Sequence, residues 1–135
     1  MDCIFCKIIK GEIPSYKIYE DDFTYAFLDI AAEGYGHTLV VPKKHFDNFL
    51  ECPKFYLQKC MDTVKKIARH YIDDCGFSGF NLIVNNSECA GQSVMHLHIH
   101  IIPRKDGDGI SLWNIKKDST SLEKVRKVLE VKWKK

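Results

Sequence analysis

The sequence has no marked excess of charge of either sign. Its 20 Lys and Arg residues against 18 Asp and Glu leave a formal net charge of +2. A protein that grips a nucleic-acid backbone is expected to carry a clustered basic face, which this balance does not indicate. We therefore expect no nucleic acid among its partners, and any polyanion that it binds should be small and local.

Long apolar runs are also missing. No stretch approaches the roughly 20 residues that a helix needs to cross a bilayer, and no basic flank at the N-terminus leads into an apolar run of signal-peptide length. These absences predict a cytoplasmic protein with no membrane partner. In that compartment its six cysteines are better explained as reduced thiols and metal ligands than as disulfides.

Repeats, linkers and low-complexity segments are absent as well. A hydrophobic content of 45% in 135 residues is enough for one well-packed core, and the chain is too short for two ordinary domains. We therefore predict a single domain over residues 1–135.

Hydrophobic periodicity predicts three strands in close succession, then a long helix and two more strands, with a short helix at each end of the chain. Helices are expected at Cys3–Lys10, from Pro53 to Gly76, and after Ser121, the last with Leu122, Val125, Val128 and Leu129 facing inward. Strands are expected at Tyr16–Tyr19, Phe23–Ile30, His37–Pro42, Phe80–Val84 and Met95–Ile102, with Pro103 closing the last. This order favours an α+β fold with a five-stranded antiparallel sheet.

Three histidines alternate with apolar residues in the last predicted strand, at His96, His98 and His100. On a strand, this period of two places the imidazoles on one face, roughly 7 Å apart. That spacing spans a phosphate group or a metal site. The alternative, a row of solvent-facing polar positions, is disfavoured because three of only six histidines fall in strict alternation.

A neutral imidazole can attack phosphorus, accept a proton or bind a metal. His98 is flanked on both sides, so a neighbouring imidazole could contact the oxygens of a phosphate held above it. Just upstream, Gly91 lets backbone N–H groups approach an anion, while Gln92 and Ser93 offer amide and hydroxyl donors. A glycine beside polar residues is by itself typical of an ordinary turn. Its position immediately before the histidines favours a role in binding an anion.

Cys3 and Cys6 form a two-ligand spacing at the start of a predicted helix. Tetrahedral zinc needs two further ligands. A thioredoxin-like redox pair has the same spacing but requires a βαβ context, which is absent. From the residues alone, a zinc site and a metal-free reduced pair both remain open.

Taken together, these segments resemble the histidine triad (HIT) family, in particular its compact branch of nucleotide-binding hydrolases. The matching stretches are residues 3–9, 11–14, 19–21, 26–30, 36–45, 85 and 91–94, followed by the histidines, in order and at the family spacing. The resemblance implies a homodimer whose sheets join across the interface. It also implies a purine nucleotide bound with its base among apolar side chains.

Site residues follow from the same resemblance. His98 is implied as the nucleophile, which attacks the α-phosphorus to form a nucleotidyl-histidine that water hydrolyses. His100, Ser93, Gln92 and Asn85 are implied as contacts of the phosphate and the leaving group, and Asp29 as the acceptor of hydrogen bonds from the ribose hydroxyls. The base is implied to lie among Phe5, Ile8, Phe27 and Ile30. Without the resemblance, the last four are simple core positions and Asp29 is a strand-end cap.

Bacterial-type members that this sequence is similar to complete the cysteine pair with two histidines. The resemblance therefore implies a closed, structural zinc site formed by Cys3, Cys6, His45 and His96. Other members lack the cysteines and function without the metal. With His96 bound to zinc, His98 and His100 are left for the phosphate.

Three functions are compatible with this site. The first is hydrolysis of nucleoside phosphoramidates or a related nucleotidyl bond, and the second is cleavage of dinucleoside polyphosphates. The third is a nucleotide-dependent interaction module with little turnover. The short chain and the Gly91–Ser93 loop favour the first, and the complete set of histidines argues against the third.

Overall fold

The computed structural model of the chain describes residues 2–32, 34–113 and 115–132. Within these ranges the helices are α1 (Ile4–Ile9), α2 (Lys54–Asp73) and α3 (Leu122–Leu129), with a short 3₁₀ helix at Glu88–Ala90. The strands are β1 (Lys17–Glu20), β2 (Thr24–Leu28), β3 (Thr38–Pro42), β4 (Gly79–Ile83) and β5 (Ile99–Arg104). The predicted α+β class with a five-stranded antiparallel sheet is confirmed.

The sheet has the strand order β1-β2-β3-β5-β4, with β3 at its centre. Every residue of β3 is buried, because α2 covers one face of the sheet and α1 lies against the other. The β3–β5 register places Leu39 opposite His100 and Val40 opposite Ile99. Side chains that alternate along these strands therefore enter two different cores.

The two cores explain where the histidine side chains go. Val40, Ile99 and Ile101 pack with α2, whereas Leu39 packs with the residues of α1. His100, opposite Leu39, lies on the α1 side. The histidine face of the chain is thus covered by a helix and does not face solvent.

Helix α2 ends as the sequence predicts, at a glycine. The N–H of Phe77 donates to the carbonyl of Tyr71 at 3.2 Å, and Gly76 adopts φ +81° between them. This pairing across a left-handed residue closes the last turn, and the left-handed conformation costs glycine least.

The predicted bounds of the last strand were wrong. β5 begins at Ile99, so His96 and His98 precede it, and it continues through Pro103 to Arg104. The N–H of Leu97 donates to the carbonyl of Phe46 at 2.7 Å, in the loop that follows β3. Pro103 is tolerated because the ladder with β3 stops at Ile101, so no N–H is required of it on that side.

The prediction that the apolar face of α3 packs inward was also wrong. Leu122, Val128 and Leu129 are 84%, 81% and 70% exposed, and α3 has no buried residue. Ser121 stands at the N-cap without a side-chain hydrogen bond to the helix. In the described part of the chain, no helix combines the length and apolar character needed to cross a bilayer.

Candidate functional site

A cleft of about 270 Å³ opens between α1, the end of β2 and the segment that leads into β5. Its lining includes the four side chains predicted to hold a base, Phe5, Ile8, Phe27 and Ile30, together with Asp29, Ser93, His98 and His100. Phe5, Ile8 and Phe27 are buried, while Ile30 is 92% exposed and lies at the rim. The structure therefore brings most of the predicted site residues together around one space.

His98 is buried, and its orientation is fixed by a single short hydrogen bond. Its Nδ1 lies 2.7 Å from the carbonyl oxygen of His96. Because a carbonyl can only accept, Nδ1 carries the hydrogen and Nε2 keeps its lone pair. The ring of Phe5 meets the imidazole edge to face at 5.1 Å between centroids. The chain thus presents a neutral imidazole with one unshared nitrogen at the cleft.

His100 lies beside His98, with 5.0 Å between the ring centroids. The Nδ1 of His100 is 2.9 Å from Nε2 of His37, and its Nε2 is buried with no hydrogen-bond partner among the described residues. That nitrogen is therefore available to a ligand in the cleft, together with Nε2 of His98.

Burial sets the protonation of these rings. It lowers the pKa of His98, and it lowers the pKa of His96 and of His100 to about 4. The neighbouring imidazoles act in the same direction on His100, because two positive rings at this distance repel each other. All three histidines are therefore neutral at pH 7, the form in which an imidazole is a nucleophile.

Asp29 follows the last residue of β2 and lines the cleft. Its Oδ1 accepts from the N–H of Ala31 at 2.9 Å, and its Oδ2 lies 3.6 Å from Nε2 of His37. The first contact is the strand-end cap expected from the residues alone. The second leaves lone pairs of Oδ2 available at the edge of the cleft.

The loop before the histidines is held by Gln92. This side chain is buried, accepts from the N–H of Ser87 at 2.9 Å and donates to the carbonyls of Asp47 and Val94 at 2.6 and 3.0 Å. Gln92 is not among the residues that line the cleft. Its hydrogen bonds fix the loop and place Ser93, which is exposed and borders the cleft.

Asn85 also lies outside the cleft lining. A side chain on Gly91 would bring its Cβ to 3.5 Å from Nδ2 of Asn85, and Gly91 has φ +95°. Only glycine enters this conformation readily, so the residue is needed for the path of the loop. Asn85 thus lies next to the glycine turn that precedes the histidines.

A second space, of about 360 Å³, shares Ser93 and Val94 with the first in its lining. It is bordered by Asp2, His45 and Asp47 among others. Ser93 therefore borders both spaces.

The four predicted zinc ligands converge behind His98. One ligand atom from each of Cys3, Cys6, His45 and His96 lies within 4.8 Å of the others. Nδ1 of His96 is 3.5 and 3.6 Å from the sulfurs of Cys3 and Cys6, and Nδ1 of His45 is 3.4 Å from Cys6 Sγ. Tetrahedral zinc with Zn–S near 2.3 Å and Zn–N near 2.0–2.1 Å needs S···N separations of about 3.6 Å. The donor set and its spacing fit the metal.

The outer nitrogens of both histidines in this cluster are also engaged. His96 donates from Nε2 to the carbonyl of Pro42 at 2.9 Å, and His45 Nε2 is 2.9 Å from Asp47 Oδ1. Such partners fix the ring orientation and the tautomer of a metal ligand. Each histidine therefore presents the correct nitrogen, Nδ1, to the two sulfurs.

Two residues of the site were missed from the sequence. His37 was predicted only as the first residue of a strand, yet it is buried against His100 and Asp29. Asp47 was not singled out, although it contacts His45. The strand pairing could have indicated His37. If β3 and the histidine strand are antiparallel neighbours, the first residues of β3 lie beside His100.

The fold and the site together define a small α+β protein with histidines beside a cleft and a cysteine–histidine cluster behind them. Residues 10–107 match the family model described as HIT domain. The chain therefore belongs to the HIT family.

Solved structures and curated relatives agree with this assignment. A HIT-family crystal structure from Bacillus subtilis superposes with a TM-score of 0.81 at 41% identity, covering 99% of this chain and 100% of that one. A zinc-bound histidine triad protein from Mycobacterium smegmatis gives a TM-score of 0.78 at 34% identity, covering 87% and 85%.

Two curated relatives are named by activity. The adenosine 5'-monophosphoramidase of Saccharomyces cerevisiae is 42% identical over 77% of this chain, and the adenylylsulfatase of Arabidopsis thaliana is 41% identical over 91% of it. The match spans 63% of the length of each of these two relatives.

Proposed function

We propose that the protein hydrolyses the bond between the α-phosphorus of a purine nucleotide and its leaving group, with nucleoside phosphoramidates as the substrate class. The observation that carries this proposal is the 2.7 Å hydrogen bond from His98 Nδ1 to the carbonyl of His96. It leaves Nε2 of a neutral, buried imidazole as a nucleophile beside a cleft of nucleoside size. An ordinary surface histidine has neither property.

The chemistry proceeds in two displacements. Nε2 of His98 forms a bond to phosphorus as the bond to the leaving amine breaks, and the amine takes a proton from solvent as it leaves. Water then attacks the phosphorus of the nucleotidyl-imidazole, releases the nucleoside monophosphate and restores His98. Nε2 of His100, unpartnered within the protein, contacts the phosphate oxygens, and Ser93 faces the leaving group.

The remaining site residues position the nucleoside. Phe5, Ile8, Phe27 and Ile30 offer an apolar surface for the base, and Asp29 offers carboxylate oxygens to the ribose hydroxyls. Gln92 and Asn85 act through the loop, since neither lines the cleft. The names of the two enzymatic relatives, which both describe hydrolysis of adenosine nucleotide derivatives, support this assignment.

We also propose a structural zinc ion at Cys3, Cys6, His45 and His96. When bound, it would cross-link the start of α1 to the loop after β3 and to the segment before β5. With four protein ligands the site has no open position for substrate. The free state of all six cysteines accords with this role and with the reducing cytoplasm.

A homodimer is part of the proposal. β4 lies at the edge of the sheet, and its Phe80 and Leu82 are exposed, as is the apolar face of α3. Exposed apolar surface of this kind is typical of an interface.

The test is a substrate panel run on the wild type and on His98→Ala. The substrates are adenosine phosphoramidate, diadenosine polyphosphate and adenylyl sulfate. A third protein, His70→Ala, is the control for loss of an exposed imidazole. We expect turnover of the phosphoramidate by the wild type and His70→Ala, and a loss of about 10³-fold or more in His98→Ala. Equal, negligible rates for every protein would eliminate catalysis and leave the interaction module.

The same panel separates the two enzymatic functions. The second space beyond Ser93 is large enough to favour a bulky leaving group, which is the observation that keeps dinucleoside polyphosphates as the second candidate. A higher kcat/KM on diadenosine polyphosphate than on the phosphoramidate would assign the site to that substrate.

A further inference from the structure

A second cysteine–histidine arrangement lies at the C-terminal end of α2, apart from the cleft and from the zinc cluster. Cys75 Sγ is 3.6 Å from Nε2 of His70, and Nδ1 of His70 is 2.8 Å from Oδ2 of Asp74. All three side chains are exposed. The three residues thus form a chain of contacts from a thiol through an imidazole to a carboxylate.

The order of these contacts fixes the direction of proton transfer. A carboxylate only accepts, so Nδ1 of His70 carries the hydrogen and Nε2 faces Cys75 as an acceptor. The thiol proton can therefore move to Nε2, and Asp74 stabilises the imidazolium that forms. Since His70 lies in the last turn of α2, the negative end of the helix dipole adds to this stabilisation. A nucleophile, a base and a group that orients the base are all present.

We propose that Cys75 is a reactive surface thiol, activated by His70 and Asp74, that is reversibly modified by low-molecular-weight disulfides. The Cys75 proton passes to Nε2 of His70, and the thiolate attacks one sulfur of the disulfide. The S–S bond of the reagent breaks as the new S–S bond to Cys75 forms, and the released thiolate takes up the proton. The disulfide is the oxidant, and a second small thiol reverses the exchange.

The other cysteines show why the modification is selective. Cys52 and Cys60 are buried, and desolvation raises the pKa of the Cys60 thiol to about 12. Cys3 and Cys6 belong to the proposed zinc site. Cys89 is exposed like Cys75 but has no hydrogen bond to any residue that the structure describes. It is therefore the matched internal reference for an unassisted surface thiol.

The experiment measures the exchange rate at each cysteine of the whole protein. Folded, zinc-loaded protein is mixed with oxidised glutathione at pH 7, quenched with iodoacetamide, and analysed by peptide mass spectrometry. We expect Cys75 to form the mixed disulfide about fivefold or more faster than Cys89. His70→Gln should bring the Cys75 rate down to that of Cys89, and Asp74→Asn should lower it partially, with the Cys89 rate unchanged in both variants.

Equal rates at Cys75 and Cys89 in the wild type would overturn the proposal. So would a faster Cys75 rate that survives His70→Gln, because accessibility alone would then explain it. Both substitutions are at exposed positions, and circular dichroism spectra matching the wild type confirm that the variants are folded.

Discussion

The Gln92 side chain connects three backbone groups of two neighbouring loops, which gives a single buried amide control over the position of Ser93. Gln92→Ala leaves these groups unsatisfied, so we expect a loss of about 1–3 kcal/mol in the free energy of unfolding. Phosphoramidate turnover should fall as well, because the loop loses its support. Urea unfolding and steady-state kinetics measure the two effects.

Gln58→Ala is the matched control for this change, because Gln58 is an exposed glutamine on α2. It should leave both stability and turnover close to the wild type. If Gln92→Ala behaved like Gln58→Ala, the loop would not depend on the amide.

Asp29 offers a test of ribose recognition. Asp29→Asn keeps an acceptor for the N–H of Ala31 but replaces a charged acceptor for the sugar by a neutral one. Hydrogen bonds to charged groups are stronger by about 1 kcal/mol, so KM for adenosine phosphoramidate should rise about fivefold. KM for the 2',3'-dideoxy analogue, which has no ribose hydroxyls, should not change. An equal rise for both substrates would mean that Asp29 acts only on the fold.

At the residue scale, the resemblance named most of the side chains that lie around the cleft, but not Gln92's and Asn85's place outside its lining, nor what each side chain contacts. The contact between the rings of His37 and His100 depends on β3 and β5 being neighbours in the sheet. The hydrophobic periodicity of a sequence does not show which strands are neighbours. Gln92 illustrates the same limit: a polar residue beside a glycine gives no sign that its amide is buried among backbone groups.

At the scale of elements, helix α2 could be predicted because its apolar period matches one buried face. Strands β2 and β3 could be predicted because they are short runs of apolar, aromatic and β-branched residues, which are buried on both faces of the sheet. The start of β5 could not. The histidine segment has the same period of two as a strand, but His96 lies in a bend and the N–H of Leu97 donates to the carbonyl of Phe46 in a loop. A hydrophobic pattern indicates which side chains are buried, but it does not indicate whether a backbone N–H pairs with a strand or with a loop.

For helix α3 the apolar pattern predicted the helix correctly but not its burial. Its apolar side chains are covered by nothing in the described part of the chain. A helix of two turns is marginal in water without a packed face. We therefore expect α3 to pack in the proposed dimer. Leu129→Asp should shift the protein toward monomer in size-exclusion chromatography with light scattering.

Lys124→Asp is the control, because it places an aspartate on the same helix at a position that is already charged. This variant should remain dimeric. A Leu129→Asp protein as dimeric as the wild type would show that α3 lies outside the interface. A monomeric wild type would contradict the dimer itself.

At the scale of the whole molecule, the cysteine–histidine cluster links segments that are far apart in sequence, from residue 3 to residue 96. Metal that binds only the folded state adds to its stability. Cys3→Ser with Cys6→Ser should abolish zinc in elemental analysis and lower the melting temperature by about 5 °C or more. Cys75→Ser with Cys89→Ser is the matched control and should retain both. Less than a tenth of an equivalent of zinc in carefully handled wild type would contradict the site.

The peptide unit that follows His96 separates the orientation of the nucleophile from the proposed zinc site. The side chain of His96 is one of the four proposed zinc ligands, while its carbonyl accepts the hydrogen bond that orients His98, and the N–H of Leu97 donates independently to the carbonyl of Phe46. The imidazole of His96 is also held by Pro42. We therefore expect the orientation of His98 to survive loss of the two cysteines, although the protein would lose the stability that bound zinc adds.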